Sequence, residues 1–250
     1  MHTELLEYSD DKQICEAFVA YDDSNKEKRP AVLICHAWGG QSTFEQEKAK
    51  KLAELGYVGF ALDNYGKGKR GGSMEENGKL MQPFIDDRAM LRQRLLAGLA
   101  AAQKHPMVSN KIAVIGFCFG GLCALDLARV STKSSDGANG AGGSKSGVVG
   151  AVSFHGLFHP PALGKQEDIA AKILILHGYD DPMATPTDVV AIAKELTDAK
   201  ADWQLHAYGH TSHAFTNPGM NMPENGLQYN ATADKRSWQS MQNFLSEVFG

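Results

Sequence analysis

Six runs along the chain are rich in β-branched and other apolar residues: AVLICHA from Ala31, YVGFALD from Tyr57, KIAVIGF from Lys111, GVVGAVSFH from Gly147, KILILHG from Lys172 and DWQLHAY from Asp202. Several lack the polar alternation of a strand with one wet face, so they predict strands buried on both faces of a mainly parallel sheet. Helical patterns fall between and after them. STFEQEKAKKLAELG sets Ser42 three residues before Glu45, a capping-box spacing, and ends at Gly56, which suits the position just past a helix. TPTDVVAIAKEL puts Thr185 at the N-cap, Pro186 at the first helical position and Asp188 at the third. Trp238, Met241, Leu245 and Val248 recur at near-helical spacing and predict a last helix lying on the sheet by one apolar stripe. This alternation predicts one doubly wound α/β domain over residues 1–250. Residues 131–147, STKSSDGANGAGGSKSG, hold too few apolar groups to pack and are expected to form a mobile surface insertion.

Composition narrows the function classes. A hydrophobic content of 43% over 250 residues suits one globular core. Acidic residues outnumber basic ones, 29 to 25, for a formal charge of −4, and Lys and Arg are dispersed, which argues against nucleic acid as a partner. The start, MHTELLEYSDDKQICEAF, does not read as a secretory signal, and no run is long and apolar enough to span a membrane. Cys15, Cys35, Cys118 and Cys123 are too scattered for a disulfide framework or a CxxC zinc site. A cytoplasmic protein is the expectation.

The chemistry concentrates in KIAVIGFCFGGLCALDLARV, where a strand pattern reaches Gly116-Phe117-Cys118-Phe119-Gly120 and a helical pattern follows at once. This is the nucleophile-elbow arrangement, with cysteine where serine is usual. Cys118 also stands at a helix N-terminus, whose free N–H groups and dipole favour a thiolate. A buried structural cysteine is the bland alternative. Its partners weigh against that. In LILHGYDDP, Asp181 follows a strand end on a loop from which it could orient a histidine, with Asp180 as a rival; in LHAYGHTSHAFTNP, a loop after the last strand carries His210 and His213. Cys118, Asp181 and His213 then run in the order nucleophile, acid, histidine that the elbow fold uses.

On LICHAWGG, GYVGFALDNYGKG, IGFCFGG, LILHGYDDP and YGHTSHAFTNP, the chain resembles the dienelactone hydrolase family of α/β hydrolases beyond about residue 12. That resemblance implies an α/β-hydrolase fold and a small-molecule ester or lactone substrate, with Cys118 as nucleophile, Asp181 as orienting acid and His213 as general base. It also implies oxyanion donors in the backbone N–H groups of Ala37 and Phe119, and no cofactor. Two positions depart from the family: His36 stands where its members carry a glutamate that engages the resting thiol, and Asn217 where they place an arginine for the substrate carboxylate.

Ligands in such folds bind at the carboxyl ends of the strands, which makes His36, Trp38, Tyr65, Lys67, His155, Tyr179 and Phe215 the expected substrate contacts. An inward turn of Lys67, Lys69 or Arg70 would suit an anionic acyl group. The histidines allow two competing readings. His206, His210 and His213, or His155 with His159, could hold a metal, but a strand position and Pro160-Pro161 spoil the helical register. A non-catalytic ligand-binding or thiol redox-sensing protein is the other alternative; Cys123 would then be the resolving thiol, and the acid and histidine would have no evident use.

Overall fold

The computed structural model describes residues 1–132 and 146–250, so the expected insertion at 131–147 lies, apart from its ends, outside the described residues. The six apolar runs form β3 (Arg29–Cys35), β4 (Val58–Ala61), β5 (Val108–Phe117), β6 (Val148–Phe154), β7 (Lys172–Gly178) and β8 (Trp203–Tyr208). Two strands precede them, β1 (His2–Ser9) and β2 (Ile14–Tyr21). Together they make an eight-stranded sheet in the order β1-β2-β4-β3-β5-β6-β7-β8. β1, β2 and β4 pair antiparallel, and every pairing from β4 across to β8 is parallel.

Alternate side chains of each central strand enter opposite cores. Leu33, Val114 and Ile175 pack with Leu91 and Leu95 of α3 (Arg88–Lys104), Leu122 of α4 (Phe119–Arg129) and Ile192 of α5 (Pro186–Asp198). Val32, Ile34 and Ile115 pack on the other face with Ala49 and Leu52 of α1 (Thr43–Glu54) and Met241 and Leu245 of α6 (Ala231–Phe249). Both capping predictions hold: Glu45 accepts from the Ser42 N–H at 2.8 Å, and Asp188 from the Thr185 N–H at 2.8 Å. Such caps are each worth about 0.5–2 kcal/mol. A buried chain of charges, Arg88 on Asp126 at 2.7 Å and Arg129 on Asp126 and Glu195 at 3.0 and 2.7 Å, ties α3, α4 and α5 together. Among the described residues no helix is long and apolar enough to cross a membrane.

The parallel strands bring Cys35, Phe117, Phe154, Gly178 and Tyr208 to one edge of the sheet. The loops leaving that edge, with α2 (Met74–Asp86) and a two-stranded ribbon of β9 (Asn221–Met222) and β10 (Leu227–Gln228), build the site.

Candidate active site

Between β5 and α4 the backbone turns at Cys118, which takes φ 57° and ψ −118°. A side-chain-bearing residue held there costs on the order of 1–3 kcal/mol, so neighbours must impose it. Two glycines permit the turn. A Cβ at Gly116 would lie 1.8 Å from the Gly120 carbonyl oxygen, and one at Gly120 would lie 2.0 Å from that of Cys35. The Cys118 N–H is shared between the Phe154 carbonyl at 3.0 Å and His155 Nδ1 at 3.1 Å. The thiol itself stays partly exposed at the N-terminus of α4.

His213 is carried by the loop after β8, and its backbone is fastened to the ribbon through Gly226 O at 2.9 Å and Gln228 N at 3.0 Å. Its Nδ1 meets Asp181 Oδ2 at 2.7 Å, while Asp181 Oδ1 accepts from the Met183 N–H at 2.8 Å. Each carboxylate oxygen therefore has its own partner, and the acid is fixed in its turn. Asp180, the rival, lies exposed beside His210 at 3.9 Å. Among the described residues none makes a hydrogen bond to the buried His213 Nε2, and His213 and Cys118 line the same cavity. Burial opposes charge on this imidazole, but the Cys118 sulfur and the Asp181 carboxylate outweigh it and push its pKa up to about 10.

The cavity holds about 110 Å³ and is walled by Trp38, Met81, Leu157, Met183 and Leu227 around Cys118 and His213. Trp38 alone of the seven expected substrate contacts lines it. His36 is fully buried under the loop: its Nδ1 lies 2.6 Å from the Ala37 carbonyl, which can only accept, and its Nε2 accepts from the Asn64 N–H at 3.1 Å. It is thus a neutral Nδ1–H tautomer, and burial draws its pKa down to about 4. Tyr65 is buried and spends its hydroxyl on the Trp38 carbonyl at 2.9 Å, which steadies the cavity wall from behind. Lys67 turns outward to Glu7 and Glu16. Tyr179 is 54% exposed and away from the cavity, and Phe215 is fully buried against His155 and Tyr208.

His155 is the most informative of these corrections. It is buried, with φ 38°, and its Nδ1 accepts from the Cys118 N–H, so its Nε2 carries the proton and donates to Thr216 Oγ1 at 2.8 Å. Burial, reinforced by the charge on His213, holds its pKa well below the ordinary histidine value. It braces the elbow and does not reach the cavity.

The Ala37 N–H differs from the open donor expected: it gives a 3.3 Å bond to Glu45 Oε1. Glu45 is buried, and burial raises its pKa above the ordinary glutamate value, although Ser42 and the Ala37 amide favour its charge. Its capping role is visible in sequence, but its reach to the loop after β3 is not. Nor are Met81, Leu157, Met183 and Leu227 singled out as cavity walls, since isolated apolar residues in loops carry no periodic signal. The other histidines go elsewhere, His206 to Ser240 at 3.2 Å and His210 to solvent. Cys123 is buried beside Cys35, with Asn64 Nδ2 3.8 Å from its sulfur.

The sequence model of the dienelactone hydrolase family matches residues 15–249. Among solved structures, m3DLH is similar at a TM-score of 0.89 and 30% identity, covering 100% of this chain and 99% of that one. A dienelactone hydrolase-like promiscuous phosphotriesterase from metagenomic libraries is similar at a TM-score of 0.87 and 31% identity, with the same 100% and 99% coverage. A Yersinia pestis protein that carries the name carboxymethylenebutenolidase is 24% identical over 242 residues, 92% of this chain and 83% of its own.

Proposed function

The chain belongs to the dienelactone hydrolase family, and from that premise we propose that it hydrolyses small esters and lactones through Cys118 as a covalent nucleophile. The observation that carries this reading is the Asp181–His213 bond at 2.7 Å, with His213 Nε2 free of hydrogen bonds among the described residues in a cavity it shares with Cys118.

In the proposed reaction His213 holds the proton taken from Cys118, and the sulfur attacks the substrate carbonyl carbon as the C=O electron pair moves onto oxygen. Phe119, the first residue of α4, offers an N–H with no intrahelical acceptor to that oxygen. The Ala37 N–H exchanges its long bond to Glu45 for the same charge. When the adduct collapses, the C–O bond breaks, His213 returns the proton to the departing alkoxide, and a thioester remains on Cys118. A water molecule, deprotonated by His213, attacks the thioester and the acid leaves as the sulfur departs. The redox-sensing alternative is disfavoured by Cys123, which sits in the core beside Cys35.

The test is release of p-nitrophenol from p-nitrophenyl butyrate by wild type, Cys118→Ala and His213→Ala in the presence of a chelator, with intact-protein mass spectra of quenched mixtures. Turnover by wild type, background rates for both variants and an acyl mass on wild type alone are expected. A Cys118→Ala variant as active as wild type would end the nucleophile reading. A neutral phosphotriester is included as a second electrophile, because a 31% identical relative is named for that activity and the cavity wall is apolar.

A further inference from the structure

We infer that the site selects uncharged substrates with a short apolar acyl group and rejects esters and lactones that carry a carboxylate. This rests on the hydrolase reading above and deepens it. The wall around Cys118 is formed by Trp38, Met81, Leu157, Met183 and Leu227, and no described residue lining it is Lys or Arg. The cavity, at about 110 Å³, is small and suits a short acyl group.

The cations that could have met a carboxylate are committed elsewhere. Lys67 is held by Glu16 at 2.8 Å and by Glu7, and Lys69 by Gln13 at 2.7 Å. Arg70 spends its guanidinium on the Lys69 carbonyl at 2.7 Å, on Gln41 at 3.3 Å and on Asp63 at 3.4 Å. His36 is neutral and sealed beneath the loop. Asn217, on the loop after His213, uses its side-chain oxygen to accept from the Gly219 N–H at 3.0 Å. Among the described residues lining the cavity, the positive charge is that of His213, which Asp181 answers at Nδ1 and the nearby Cys118 sulfur favours electrostatically.

A carboxylate entering this space would lose its hydration and gain no partner, the costly case for a buried charge. Met81 and Met183 are unbranched and adaptable, so the wall tolerates changes of acyl shape far better than a change of charge. Discrimination by charge, with loose discrimination by shape, is the expected signature.

The experiment compares kcat/KM for p-nitrophenyl butyrate with that for mono-p-nitrophenyl succinate, whose acyl group is of similar length but anionic, each corrected for spontaneous hydrolysis. A preference of about 100-fold or more for the butyrate is expected. A second variant, Leu157→Lys, places an amine in the wall and should narrow that ratio by about 10-fold or more. Equal rates on the two esters would overturn the charge inference while leaving the hydrolase reading intact, as would an unchanged ratio in an active Leu157→Lys protein. No turnover of either ester and no acyl adduct on Cys118 would sink the hydrolase reading itself, and this inference with it.

Discussion

Two loops at the carboxyl edge of the sheet, one after β6 and one after β8, each place a buried histidine beside Cys118, and the rings of His155 and His213 meet edge-on with centroids 5.1 Å apart. Nearly everything about their position matches, yet their electrical states are opposite. His213 is pushed up to about 10 and His155 is held well below the usual histidine range. The difference lies in what each ring meets. Burial opposes charge on both, but His213 faces the Cys118 sulfur and, at Nδ1, the Asp181 carboxylate, which together outweigh it; His155 is buried beside the charge on His213 and gives its Nδ1 lone pair to the Cys118 N–H, which suits the neutral ring. Position at a strand end therefore nominates a histidine, while the groups its ring meets decide whether it is suited to the proposed base or to a brace.

The strongest way to break this contrast is Asp181→Asn. The amide can present an N–H to Nδ1 and so favours the wrong tautomer, and kcat for p-nitrophenyl butyrate is expected to fall by about 10⁴-fold with the fold intact. The pKa of His213, followed by NMR of the ring, should move down from about 10. A loss under about tenfold would mean that Asp181 does not orient the base.

A smaller effect is expected at the brace. His155→Leu removes one of the two acceptors of the Cys118 N–H, leaving the Phe154 carbonyl, and leaves Thr216 without its donor, so the elbow relaxes and kcat should fall by about 10- to 100-fold, the scale of a small misplacement at the reacting group. His155→Asn sharpens the comparison, because its Oδ1 can stand where Nδ1 stood and asparagine tolerates a φ of 38°. It should recover most of the rate, while neither His155 variant abolishes acylation of Cys118. If Leu and Asn behave alike, the bond from Cys118 to His155 does not position the nucleophile.

How far these roles were legible in the sequence follows the same line. The six buried strands and both capping boxes rest on local signals, periodicity or spacing within a few residues, and appear where expected. The strands β1 and β2 carry weaker signals: HTELLEYS lies at the sheet edge with most of its side chains wet, and ICEAFVAY alternates. Residues chosen only because they follow a strand fared worse. Tyr179 faces solvent, while His36, His155 and Phe215 turn under the loops. Which side of a loop a residue takes depends on partners from distant segments, such as Asn64 for His36 and Thr216 for His155. The same is true of Lys67, whose outward turn depends on Glu7 and Glu16 in two strands that the local pattern leaves unannounced.

The smallest expected effect separates the two histidines by stability instead of rate. His155 and His36 are neutral when folded and charge more readily when unfolded, so below the ordinary value of 6.5 the unfolded chain binds more protons and stability falls as pH falls. Each such group adds up to about 1.4 kcal/mol per pH unit to that slope, and for His36 the window runs from 6.5 down to about 4. His213 has the opposite sign: its stabilisation is fully present below 6.5 and is lost as pH rises through about 10. Urea unfolding from pH 5 to pH 10 should therefore give a stability maximum near neutrality with different residues on its two limbs. His155→Asn should flatten the acid limb and leave the alkaline one, and Asp181→Asn should do the reverse. If both variants flatten the same limb, the two histidines are not in opposite states, and the division of labour between base and brace fails with them.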